Sequence, residues 1–278
     1  MIRLAVRARP EHADRVLAEL LELVPGGVEE ERGETYVEFA IYGAPGELPA
    51  VPDLEAATGE GTVEISSAEV PDGWADRWRD FHGPVVVGGA VRVRPSWVEP
   101  DAERRGDLVD IVIDPARAFG TGAHATTRLC IELLLELARS GGARGALADW
   151  GTGSGILAIA AAKLGFSPVV ACDHEPAAVE AAEANAAANE MEVEVARVNL
   201  REQAPPVAPT VTANLTVPVL TAVAARLTGR VTEVPRTLIC SGLLAGEVDD
   251  VGAAFAPAGL RERTRRSDGD WHAVLLAS

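Results

Sequence analysis

The residues with the clearest chemical meaning lie between Leu147 and Asp173, in the run LADWGTGSGILAIAAAKLGFSPVVACD. Three glycines at alternate positions, Gly151, Gly153 and Gly155, let the backbone approach a ligand with no Cβ atoms in the way. A helix expected from Ser154 turns its unpaired N–H groups and positive dipole end toward that ligand. Asp173, at the carboxyl end of the next strand, is placed to accept hydrogen bonds from a ribose diol. These residues describe a cradle for a cofactor that carries a nucleoside.

Two families of cofactor compete for such a cradle. A dinucleotide site reads G-x-G-x-x-G, whereas here the third glycine comes one position early, in Gly151-Thr152-Gly153-Ser154-Gly155. An acid, Asp149, precedes the turn, where it can meet an ammonium directly or through water. Both features favour S-adenosylmethionine, which has an ammonium and lacks a pyrophosphate. Asn214 falls at the carboxyl end of a later strand, where ligands bind in open α/β sheets. Its amide or main-chain carbonyl can accept an amine N–H and aim the nitrogen lone pair, so positioning rather than a dedicated base is expected there. Thr127, judged by residue type alone, reads as a helix-surface threonine, and His124 equally as a helix cap or a site residue. Cys130, Cys172 and Cys240 sit in apolar patterns without metal-ligand spacing and read as reduced core thiols.

The elements that must hold these residues follow from periodicity. Alternation at Ile2, Leu4, Val6 and Ala8 predicts a strand, and the stripe Val16, Leu17, Leu20, Leu21, Val24 predicts a helix. Strands near 28–31, 35–41 and 62–68 and a helix near 48–57 complete a β-α-β-β-α-β ferredoxin-like order. Residues 71–83 read as a linker helix with Trp74, Trp78 and Phe81 on one side, and 84–95 as a hairpin about Gly88-Gly89. A strand at 108–113 and a helix after the 114–122 loop come next. Strands are then expected at 146–150, 168–173, 193–199, 209–214, 236–241, 260–265 and 271–277, with helices at 154–164, 176–189, 216–228 and 244–256. That alternation predicts a Rossmann-like α/β domain over 84–278, with a parallel sheet closed by an antiparallel hairpin. A small α+β domain over 1–70 precedes it.

Composition narrows the partners. The 278 residues carry a net charge of −17, which argues against direct nucleic-acid binding through phosphates. Residues 1–68 hold five Arg against fourteen Asp and Glu, so a partner of this segment should be basic. No apolar run approaches a membrane span, and charges interrupt the apolar positions of MIRLAVRARP, which argues against a signal peptide. A cytoplasmic monomer is expected.

The run DPARAFGTGAHATTRLC, at 114–130, resembles the corresponding loop of the ribosomal protein L11 methyltransferases nearly residue for residue. So do GTGSGILAIAAAKLG at 151–165, the Trp74/Trp78 segment, Pro95-Ser96-Trp97 and Ala213-Asn214. The resemblance covers roughly 72–278. It implies an enzyme that transfers methyl groups from S-adenosylmethionine to lysine side chains or the N-terminal amine of a basic large-subunit ribosomal protein, recognised by the N-terminal domain. It further implies cofactor contacts from Phe119, Gly120, Thr127, Gly151, Asp173 and Asn214, joined by Asp149 and Gly153 from the reading of the turn. Another protein-lysine methyltransferase or a small-molecule methyltransferase is the alternative. Three departures stand out: Ala116-Arg117 where the family has Gly after Asp-Pro, Trp150 where it has a small aliphatic or Phe, and His174-Glu175 after Asp173.

Overall fold

Alternating apolar residues in β1 (Ile2–Ala8) place Leu4, Val6 and Ala8 in one core with Ala13, Val16, Leu20, Val37, Phe39 and Ile41. The computed structural model describes residues 2–13, 15–17, 20, 28–33, 35–43, 63–69, 83–100, 108–114, 124–141, 145–228 and 234–278. β1 lies between β3 (Val37–Gly43) and β4 (Val63–Glu69), with β2 (Glu29–Arg32) outside β3, and every pair is antiparallel. This is the strand order of a split β-α-β unit. On the other face of the sheet Arg3 and Arg7 both pair with the buried Glu38. Burial pushes that carboxyl up, but the two guanidinium hydrogen bonds outweigh it and hold Glu38 below the usual carboxylate range. The expected helix near 48–57 and the Trp74/Trp78 linker helix lie outside the described residues. The chain forms two compact units, Met1–Phe81 and His82–Ser278.

The second unit opens on the expected hairpin: β5 (Val85–Val87) and β6 (Val91–Arg94) turn at Gly88 and Gly89, both at positive φ. β7 (Val109–Val112) adds to β6 in parallel. α1 (Ala125–Arg139) follows, then β8 (Leu147–Trp150), α2 (Ile156–Lys163), β9 (Val169–Asp173), α3 (Pro176–Ala188) and β10 (Glu194–Arg197). The chain ends with β11 (Thr210–Asn214), α4 (Val217–Leu227), β12 (Thr237–Leu244), α5 (Val248–Phe255), β13 (Arg261–Asp268) and β14 (Trp271–Ala277). The large sheet runs β10-β9-β8-β11-β12-β14-β13, with β14 antiparallel to both neighbours. The seven-stranded α/β sheet and its closing hairpin are those expected from the sequence. α2 starts two residues later than expected, because Gly155 at φ +82° is its N-cap. β12 runs longer, since it resumes pairing with β14 past an irregularity at Gly242.

Both faces of the sheet are covered, as a parallel sheet requires. One core joins α1 and α2 to the three-stranded sheet through Leu129, Leu133, Ile159, Val93 and Ile111. The other joins α4 and α5 through Leu220, Val223, Val248 and Phe255. Trp150 lies wholly within this second core, and its indole N–H donates to the Pro206 carbonyl at 2.7 Å. The large side chain at that position is thus met by full burial in the core and a hydrogen bond. Trp150→Ala should cost about 3–5 kcal/mol in urea unfolding, and Trp150→Phe about 1–2 kcal/mol by leaving the Pro206 carbonyl unpaired. A Trp150→Phe variant as stable as the parent would show that the indole N–H contributes nothing.

Candidate active site

The glycine turn hangs from β9. The N–H groups of Gly151 and Thr152 both donate to the Cys172 carbonyl, at 2.8 and 3.0 Å, which carries the chain across from β8. Gly151, Gly153 and Gly155 all have positive φ, so side chains at these positions would be strained. A Cβ on Gly151 would also lie 2.3 Å from Leu215 Cδ2. The Gly155 N–H closes the turn onto the Thr152 carbonyl at 2.9 Å.

A buried carboxylate braces this turn from below. Asp149 is 1% exposed; Oδ2 accepts from the Thr152 hydroxyl and Oδ1 from the Thr212 hydroxyl, each at 2.6 Å. Burial lifts the carboxyl to about 6, and the two hydroxyls oppose that rise. Thr212 stands opposite Asp149 in the β8–β11 register, so one carboxylate ties the turn to the strand that delivers Asn214. Asp173 acts on the other side: Oδ2 accepts from the Gly153 N–H at 3.0 Å and Oδ1 from the Glu175 N–H at 3.1 Å. His174 Nδ1 also lies 3.3 Å from Oδ1, so among the described residues Oδ2 is the oxygen that keeps a lone pair.

Asn214 ends β11 with a fixed amide. Its Nδ2 donates to Thr126 Oγ1 at 3.1 Å, and Thr126 Oγ1 lies 2.8 Å from His124 Nδ1. The same Nδ1 caps α1 by accepting the Thr126 N–H at 3.4 Å, so it is an acceptor and the Thr126 hydroxyl proton points to it. Thr126 Oγ1 can then only accept from the asparagine. That leaves Asn214 Oδ1 as an acceptor with no hydrogen bond among the described residues, beside Gly242, where a Cβ would come within 3.3 Å of it. The His124 ring packs edge-on against Trp271, with centroids 5.1 Å apart. His124 therefore does what its cap reading expected.

Asp149, Gly151, Gly153, Asp173 and Asn214 lie together at the carboxyl edge of β8, β9 and β11, next to Thr126 and the start of α1. Phe119 and Gly120 lie outside the described residues. Thr127 is 1% exposed, against its surface reading, and its buried Oγ1 has no partner among the described residues. The third glycine also has a role the sequence reading did not give it: a Cβ on Gly155 would lie 3.0 Å from Ala182 Cα, so the glycine admits α3. Thr126, Thr152, Thr212 and Gly242 were given no role from the sequence. Their signal was only their position: one before a named threonine, one inside the turn, one two before Asn214, one after the next strand. Cys130, Cys172 and Cys240 are buried and free, and burial pushes each thiol well up, Cys172 to about 12.

A seven-stranded sheet of this order, with a glycine turn after its first strand, an acid ending the second and an asparagine ending the fourth, defines an S-adenosylmethionine-dependent methyltransferase. The orphaned Thr127 hydroxyl and the lone pair left on Asp173 Oδ2 suit a ligand with both hydroxyl and amine groups. The family described as ribosomal protein L11 methyltransferase (PrmA) matches residues 48–278. A protein of that name from Pelotomaculum thermopropionicum is 34% identical over 308 residues, spanning 98% of this chain and 97% of its own. One from Sorangium cellulosum is 37% identical over 264 residues, spanning 90% and 81%. The crystal structure of the ribosomal protein L11 methylase from Lactobacillus delbrueckii subsp. bulgaricus superposes with a TM-score of 0.62 at 28% identity, covering 70% of this chain and 98% of that one. The chain belongs to the ribosomal protein L11 methyltransferase family.

Two outcomes follow from the geometry. Thr126→Val frees the Asn214 amide and should lower kcat about 10- to 100-fold while the affinity for S-adenosylhomocysteine holds. Unchanged kcat would remove the orienting role. Between about pH 4 and 6 folded Asp149 holds a proton that the unfolded chain has lost, so stability falls as pH rises through that window. Asp149→Asn should flatten this slope, worth roughly 3 kcal/mol at most, in urea melts at pH 4.5 and pH 7. A slope that persisted unchanged in the variant would place its origin elsewhere.

Proposed function

We propose that the chain transfers methyl groups from S-adenosylmethionine to amino groups of ribosomal protein L11, lysine side chains or the N-terminal amine. The observation that carries this reading is the orientation of Asn214, whose Nδ2 is held by Thr126 and whose Oδ1 is left to accept. S-adenosylmethionine, when bound, supplies a methyl group already activated on a sulfonium. The protein's task is then to hold a neutral amine in line and exclude water. Asn214 Oδ1 accepts one amine N–H and so directs the lone pair, with His124 and Thr126 fixing the amide behind it. Thr127, Asp149, Gly151, Gly153 and Asp173, with Phe119 and Gly120 of the preceding loop, hold the cofactor: Asp173 takes the ribose diol and the glycines let the backbone come close.

Residues 1–70 form the substrate-recognition domain in this reading, 71–83 the linker and 84–278 the methyltransferase domain. Support comes from charge: the fourteen acids of residues 1–68 suit a basic ribosomal protein. In this reading the chain works as a cytoplasmic monomer; among the described residues no helix is long and apolar enough to cross a membrane. Labelled S-adenosylmethionine incubated with total ribosomal proteins should mark L11, in mass steps of one methyl. A chain lacking residues 1–70 should lose most of that labelling and keep its affinity for S-adenosylhomocysteine. Labelling of L11 undiminished by the truncation would end the recognition role, and labelling confined to another protein would end the substrate assignment.

A further inference from the structure

The alanine-rich α3 and its C-cap bury two amides, Asn185 and Asn189, at 4% and 5% exposure, beside a face made of Ala178, Ala181, Ala182 and Ala186. An amide is costly to bury unless every polar atom finds a partner, and an apolar residue would pack there without that requirement. Both amides are in fact engaged on both ends. Asn189 treats β7 as a neighbouring strand would: Oδ1 accepts the Val112 N–H at 2.9 Å and Nδ2 donates to the Val112 carbonyl at 2.6 Å. Its Nδ2 also reaches the Asn185 carbonyl at 2.8 Å. Asn189 thus closes the edge of the three-stranded sheet.

Asn185 does something else. Its Nδ2 donates to the Ser154 carbonyl, inside the glycine turn, at 2.8 Å, and its Oδ1 accepts the Asp114 N–H at 3.1 Å. In a trans peptide the carbonyl and the following N–H point opposite ways. Holding the Ser154 carbonyl toward α3 therefore aims the Gly155 N–H at the Thr152 carbonyl, the bond that closes the turn. Ala182, one turn earlier on the same helix, meets Gly155 directly. The hydrogen bond sets the orientation of the peptide plane and the alanine contact sets its depth.

We infer that Asn185 is a positioning residue for the cofactor: acting through the Ser154–Gly155 peptide, it fixes the backbone of the glycine turn from behind while registering that turn against Asp114. The inference rests on the reading of the turn as the S-adenosylmethionine site. Asn189, the C-cap of the same helix and equally buried, has no bond to the turn and serves as the internal comparison.

The test uses the full chain, titrated with S-adenosylhomocysteine, together with steady-state kinetics on L11 and thermal melts. Asn185→Ala should weaken S-adenosylhomocysteine about tenfold and raise the KM for S-adenosylmethionine alike, with the KM for L11 unchanged. Asn189→Ala should lower the melting temperature comparably yet leave both cofactor values within about twofold of the parent. Should Asn185→Ala not fold, Asn185→Asp keeps the shape and the acceptor for Asp114, sets an acceptor oxygen against the Ser154 carbonyl in place of the donor, and should show at least the same loss. Cofactor affinity unaltered by both Asn185 variants, or weakened equally by Asn189→Ala, overturns the inference. A parent chain that failed to bind S-adenosylhomocysteine would instead overturn the reading of the site.

Discussion

A single buried carboxylate holds the site together. Asp149 takes one hydroxyl from the glycine turn and one from the neighbouring strand β11, and so couples the cofactor-facing backbone to the strand that ends in Asn214. Its charge is expensive inside the core, which is why burial lifts its pKa to about 6. A Leu or Val there would pack without that cost but would leave both hydroxyls unpaired and the turn unanchored to β11. The position is one where stability yields to placement of a neighbouring ligand. Asp173, Cys172 and Asn185 then hold the turn from its remaining sides, through a carboxylate, a backbone carbonyl and an amide.

The acceptor side of the site follows the same logic on a smaller scale. His124 caps α1 and in doing so becomes an acceptor; this commits the Thr126 hydroxyl, which in turn commits the Asn214 amide. Three residues of unremarkable type thereby determine which end of one asparagine faces outward. Hydrogen bonding in series, rather than an unusual residue, produces the acceptor.

Much of this was legible in the sequence wherever one residue type answers one local demand. The glycines at 151, 153 and 155 announced a turn bare of side chains, and Asp173 and Asn214 announced strand ends, because those demands do not depend on distant residues. Strand and helix periods likewise carried the seven-stranded sheet. The partners of these residues were not legible. Thr212 matters only because the β8–β11 register sets it opposite Asp149, and Asn185 only because α3 crosses behind the turn. Thr127 illustrates the reverse error: a threonine near a helix start suggests a surface, yet tertiary packing buries it to 1% exposure. Gly155 was read through its departure from the dinucleotide spacing, whereas the contact with Ala182 gives it a packing role that only the fold displays.

The central claim is that the turn between β8 and α2 seats S-adenosylmethionine rather than a dinucleotide. Calorimetric titration of the whole chain with S-adenosylhomocysteine and, separately, with NAD addresses it most directly. The account predicts one equivalent of S-adenosylhomocysteine bound per chain and no heat of binding from NAD. Binding of NAD without any binding of S-adenosylhomocysteine would contradict it.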